Sequence, residues 1–178
     1  LWGCHNSTIW YRKDSRHRSL RPKAETTIAG VALVERLFAR VGLQTTLFHE
    51  EGDTVAAGTV ILEGRGPAGA IHAVYKTAQN ILEYASGIAT RTRQMVEEAR
   101  AGNPLCRVAV TRKHFPGTKT LSLYAAMSGG AVVHRMGLSE SVLVFDQHRV
   151  FIPDLKSGLP KPKRRIPSAK SPLKPPIF

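Results

Sequence analysis

The chain has 178 residues, of which 42% are hydrophobic and 22% charged, and its formal net charge is +13. That is room for one domain or two small ones with an ordinary core. No apolar run approaches the ~18–20 residues that a membrane span needs, and the polar, basic first 30 residues lack the apolar stretch of a secretory signal. A cytoplasmic location is the expectation.

The charge is uneven. Residues 1–30 carry six Lys/Arg against two acidic residues, 31–150 carry thirteen against ten, and 151–178 carry seven against one. Basic ends of this kind can hold nucleic acid or acidic membranes without sequence preference. A solvated tail is the plainer reading, and a nucleic-acid partner is not expected. Cys4 and Cys106 are far apart, without metal-ligand spacing, and read as reduced thiols.

Residues 1–23 show no helical or strand periodicity and read as an atypical basic, disordered leader. The segment 24–30, AETTIAG, has the β-branched content of a strand closed by Gly30. Val31, Val34, Leu37, Phe38 and Val41 then mark one face of a helix, with Gly42 as its stop. Short strands are expected at LQTTLFHE (43–50) and TVILE (59–63), joined by a turn-rich stretch. A long helix follows, its apolar face traced by Ile71, Val74, Ala78, Ile81, Leu82, Ala85 and Ile88, with a bend or break expected at Gly87. From 107 the pattern becomes strand (RVAVT), loop (RKHFPG), helix (TKTLSLYAAMSGG) and buried strand (SVLVFD). This order suggests a parallel α/β sheet or barrel. Residues 154–178 are rich in Pro and Lys and read as a disordered tail.

The segment Gly64-Arg65-Gly66-Pro67-Ala68-Gly69 matches a dinucleotide-binding G-x-G-x-x-G between a strand and a helix. No acidic residue ends a second strand where a ribose would need one, and Pro67 has no N–H for a phosphate. A plain turn into the helix is the better reading.

A second constellation carries more chemistry. Lys76 lies on the long helix, Arg112, Lys113 and His114 follow a strand, and His134 and Arg135 follow the glycine pair. Ends of parallel strands are where α/β barrels place their sites. Arg offers a fork to carboxylate or phosphate and Lys a point charge, so a polyanionic ligand would suit this set. On charge alone, a solvated face fits as well.

The segments EGDTVAAGTVILEGRGPAG, AQNILEYASGIATRTR and TRKHFPGTKTLSLYAAMSGGAVVHRMGLSES together resemble the quinolinate phosphoribosyltransferase family, and KHFPGTK, Lys76 and VFDQHR resemble its ModD branch, found beside molybdate transport genes. The resemblance covers roughly residues 24–153. It implies the α/β class, with an α+β amino-terminal sandwich over 24–86 and the first part of an incomplete α/β barrel over 87–153. It implies transfer of a phosphoribosyl group from phosphoribosyl pyrophosphate to quinolinate, releasing pyrophosphate and CO₂ and giving nicotinate mononucleotide. It further implies Mg²⁺, whose ligands are not found in this chain, and a homodimer with shared sites.

Carried over by position, Arg112, Lys113, His134 and Arg135 hold the substrate carboxylates. Lys113 is also the catalytic position, within reach of the phosphoribosyl side. Lys76 stands where the family carries an Arg lent by the partner subunit. Phe145 stands where quinolinate enzymes carry a substrate-binding Lys, which leaves two substrate classes open, quinolinate itself or another pyridine dicarboxylate or similar anion. A core role for Phe145 is the bland alternative. The later strands that carry the family's Glu and Asp find no counterpart after Phe151, so the chain is expected to be an inactive fragment. A noncatalytic basic binding or dimerising piece is the rival reading.

Overall fold

The computed structural model describes residues 17–136 and 145–151. Residues 17–134 belong to one compact unit, and Arg135, Met136 and 145–151 belong to a second.

The first unit opens with β1 (His17–Leu20) and β2 (Thr26–Thr27), then α1 (Val31–Arg40), β3 (Gln44–Leu47), β4 (Thr54–Val55) and β5 (Leu62–Arg65). A three-stranded antiparallel sheet runs β1-β5-β3, with Leu20 and Leu47 both opposite Leu62. A second, two-stranded antiparallel pair joins β2 to β4. Helix α1 buries Val31, Val34 and Phe38, as the period of three and four dictates, and Gly42 follows it at φ 74°.

Residues 17–23 carry structure that the leader reading did not assign. β1 pairs with β5, and Ser19, Leu20 and Pro22 are buried. A four-residue strand that contains Arg18 and is followed by Arg21 is too short for alternation to show, so tertiary pairing decides it. Residues 1–16, 137–144 and 152–178 lie outside the described residues, and with them the rest of the leader, most of SVLVFD and the tail.

Helix α2 (Ala68–Gly102) is a single run of 35 residues. The break expected at Gly87 does not occur. An interior glycine costs only about 1 kcal/mol, and packing on both sides of Gly87 offsets it. Before it, Ile71, Val74, Ala78 and Leu82 join Leu20, Ile28, Val34, Phe38, Ile61 and Leu62 in the main core. Around it, Ala85 and Ala89 pack with Ala29 and Ala125.

The SGIAT stretch of α2 has a structural task. The Ser86 hydroxyl accepts from the Ala29 amide at 3.1 Å and lies 3.2 Å from the Ala29 carbonyl, and Thr90 Oγ1 accepts from the Thr27 amide at 2.9 Å. These hydroxyls satisfy backbone groups of a buried segment that has no strand on that side.

Unit one ends with β6 (Ala109–Val110), α3 (Lys119–Ser128) and β7 (Val132–Val133). β6 and β7 are parallel neighbours, so this is a strand–helix–strand crossover. The returning strand comes directly after the glycine pair, where the sequence reading had only the end of a helix. In the second unit, Phe145 is 50% exposed and precedes α4 (Asp146–Arg149). The core role considered for Phe145 therefore does not hold, and Asp146 is helical rather than the end of a strand.

The glycine motif at 64–69 is a turn. β5 is antiparallel to both its neighbours, so no parallel dinucleotide-binding unit exists here. A side chain at Gly64 would lie 2.6 Å from the Phe38 ring, so this glycine admits the aromatic core residue.

Candidate anion-binding site at the ends of β6 and β7

The register of the parallel pair places the site. Ala109 faces Val132 and Val110 faces Val133. The His134 amide then donates to the Val110 carbonyl at 3.1 Å, so His134 and Thr111 leave the sheet side by side. Neighbouring strands stand about 4.8 Å apart. Arg112 and Lys113 therefore emerge beside His134 at the carboxyl end of the strands, where α/β sheets bind ligands. Lys113 and His134 are exposed, and Arg112 and His114 are half-buried. Three or four cationic or potentially cationic groups share one solvated edge, which attracts an anion through the local field.

The loop from Arg112 to Thr118 is anchored rather than free. The Phe115 carbonyl accepts from the Thr118 hydroxyl at 2.7 Å and from the Thr118 amide at 3.1 Å. The Thr118 oxygen lies 3.0 Å from Ser122 Oγ, and the Tyr84 hydroxyl of α2 lies within reach of either oxygen, 3.3 Å from Thr118 and 3.2 Å from Ser122. Because the Thr118 hydroxyl donates to Phe115, these other bonds reach its oxygen as acceptor. Tyr84 and Ser122 were not singled out in the sequence. Tyr84 sits in ILEYASGIAT, and its signal was only its place in a recognised segment.

A second anchor ties the start of α1 to the loop after β3 through a half-buried carboxylate. Glu51 accepts from the Gly30 amide at 2.8 and 3.0 Å and from the Ala32 amide at 3.2 Å, completing the start of α1. Burial pushes the Glu51 carboxyl above its ordinary 4.5, against the opposing pull of these amides. Burial, and secondarily the Glu51 charge, raises the Tyr124 phenol of α3. Next to Glu51, the Gly52 carbonyl accepts from Arg93 of α2 at 3.0 Å.

The other expected site residues stand apart. Lys76 is exposed on α2 and donates to Gln79 at 3.2 Å. It precedes Tyr84 by eight residues, roughly 12 Å along a helix, so this chain does not bring it to the β6–β7 edge near Thr118. Arg135 is half-buried and falls in the second unit. Among the described residues, no group of three or more His, Cys, Asp or Glu could hold a metal ion. No helix among the described residues is long and apolar enough to cross a membrane. Cys106 is a half-buried free thiol.

Antiparallel sandwich, long helix and parallel crossover with cations at its carboxyl edge coincide with one family in known proteins. The amino-terminal domain of quinolinate phosphoribosyl transferase matches residues 12–86, and the carboxy-terminal domain of the same family matches 88–172. The chain belongs to the quinolinate phosphoribosyl transferase family.

Among its relatives, a protein named as the pyrophosphorylase ModD of Rhodobacter capsulatus is 42% identical over 133 residues, covering 75% of this chain and 51% of that protein. A protein named as a carboxylating nicotinate-nucleotide pyrophosphorylase of Archaeoglobus fulgidus is 38% identical over 126 residues, covering 71% of this chain and 49% of that one. The crystal structure of NadC from Streptococcus pyogenes superimposes with a TM-score of 0.74 at 27% identity, covering 80% of this chain and 53% of that one. The chain thus spans about half the length of the curated relatives it matches. The family matches also extend past both ends of the 24–153 span read from the sequence.

Proposed function

We propose that this chain supplies the carboxylate-binding part of a phosphoribosyltransferase of the quinolinate type. The whole enzyme would join a pyridine dicarboxylate or similar anion to phosphoribosyl pyrophosphate and release pyrophosphate, with CO₂ leaving where the substrate is quinolinate. The observation that carries this reading is the parallel β6–β7 pair, which sets Arg112, Lys113 and His134 on one edge. Relatives named as pyrophosphorylases support it.

In this reading Arg112 grips a carboxylate through its fork and Lys113 adds a point charge between that carboxylate and the phosphoribosyl side. His134 donates to the second carboxylate. Together they neutralise the acid, aim the ring nitrogen at the anomeric carbon, and stabilise charge as the carboxylate is lost. Lys76, remote from this edge, serves the site of a partner subunit in a homodimer.

Calorimetric titration of the full chain with pyridine-2,3-dicarboxylate tests the reading. Saturable binding is expected, weakened at least tenfold by Arg112→Ala with Lys113→Ala. Unchanged binding in that double variant would sink it.

A further inference from the structure

We propose that Phe115 is a specificity-determining contact of this edge, presenting its ring to the flat face of an aromatic acid whose carboxylates Arg112 and Lys113 hold. The inference rests on the carboxylate-binding reading and adds the contact that selects the acid's ring.

Phe115 is 71% exposed, although a phenyl ring is among the side chains that gain most from burial. Its backbone is fixed, because its carbonyl accepts two hydrogen bonds from Thr118 and lies 3.2 Å from His114 Nδ1. Thr118 is itself held by Tyr84 of α2 and Ser122 of α3. Pro116 further limits the backbone of Phe115 to extended conformations. An apolar ring on an anchored backbone has only its two side-chain torsions left to fix, so a ligand pays little entropy to use it.

The neighbours of Phe115 decide what can cover it. Lys113 and His114 precede it directly, and Arg112 lies one residue further back. A protein surface laid over the ring would also bury these charges and would have to return carboxylates to each. A planar acid meets both demands at once. Its carboxylates answer the cations, and its ring offers the offset face that a phenyl group prefers.

The test uses the full chain and two acids, pyridine-2,3-dicarboxylate and cis-cyclohexane-1,2-dicarboxylate, which carry the same paired carboxylates on a flat and a puckered ring. Calorimetry on the unsubstituted chain is expected to favour the aromatic acid by roughly 2–10-fold, the size of one stacking contact. Phe115→Leu should remove that preference while the cyclohexane acid binds as before, and Phe115→Trp should keep it. If Phe115→Leu retains the preference, or weakens both acids equally, the inference is overturned while the cationic site stands. If the unsubstituted chain binds neither acid, the carboxylate-binding reading fails and takes this inference with it.

Discussion

Replacing Glu51 by alanine removes the acceptor for two amides at the start of α1, Gly30 at 2.8–3.0 Å and Ala32 at 3.2 Å. Gly30 is buried and Ala32 half-buried, so the first amide is left without a partner and the second is only partly solvated. An orphaned buried donor costs about 1–3 kcal/mol, and loss of a helix cap about 1 kcal/mol. Together these predict a loss of about 2–4 kcal/mol, a fall in Tm of roughly 6–20 °C for a unit of this size.

Glu51→Gln separates the acceptor from the charge. The folded carboxyl titrates above its ordinary 4.5 because burial disfavours the anion. Folding therefore favours the protonated form, and this contribution is fully present below pH 4.5 and lost as pH rises through the folded value. Thermal melts from pH 4 to 8 should show the Gln variant gaining on the unsubstituted chain as pH rises, while the Ala variant is weaker throughout. The reasoning is refuted if Glu51→Ala melts within about 2 °C of the unsubstituted chain, on the scale of the cap energy. It is also refuted if Glu51→Gln keeps the full pH slope.

Other consequences follow from the same contacts. Tyr84→Phe loses the hydroxyl shared with Thr118 and Ser122; because Tyr84 is 40% exposed, the expected cost is only about 0.5–1 kcal/mol, read as a shift in the urea midpoint. Gly129→Ala puts a methyl group 2.5 Å from the Ala89 carbonyl and 2.7 Å from Thr92 Cβ, where α3 ends against α2, and should destabilise by about 1–3 kcal/mol in the same assay. Among the described residues the barrel half contributes two strands, β6 and β7, so the chain by itself is expected to bind acid without turning it over. Dicarboxylate-dependent release of pyrophosphate from phosphoribosyl pyrophosphate by the purified chain would show that it holds a complete site.

Helices α1 and α2 were legible because burial at every third or fourth position leaves a period in the residues themselves. Gly87 misled because the cost of a helical glycine is local and visible, whereas the packing of Ala85 and Ala89 that offsets it is not. β1 and β7 escaped notice for a related reason: four and two residues are too few to show alternation, and pairing with β5 and β6 decides them. The cations at 112, 113 and 134 could be grouped because the segments around them are distinctive. Their nearness is a property of the parallel register. Glu51 was invisible as a cap, since a helix start is normally satisfied from within a few residues and this one is satisfied from about twenty away. Phe115 could be placed in a loop, but its exposure and the anchoring of its backbone by Thr118 emerge only in the folded chain.

The central claim is that the ends of β6 and β7 bind a dicarboxylate, and amide NMR of the full chain titrated with pyridine-2,3-dicarboxylate tests it most directly. The account predicts saturable shifts concentrated at residues 111–115 and 134. Shifts confined to the basic ends, 1–16 and 152–178, would contradict it and leave nonspecific binding of anions by charge alone.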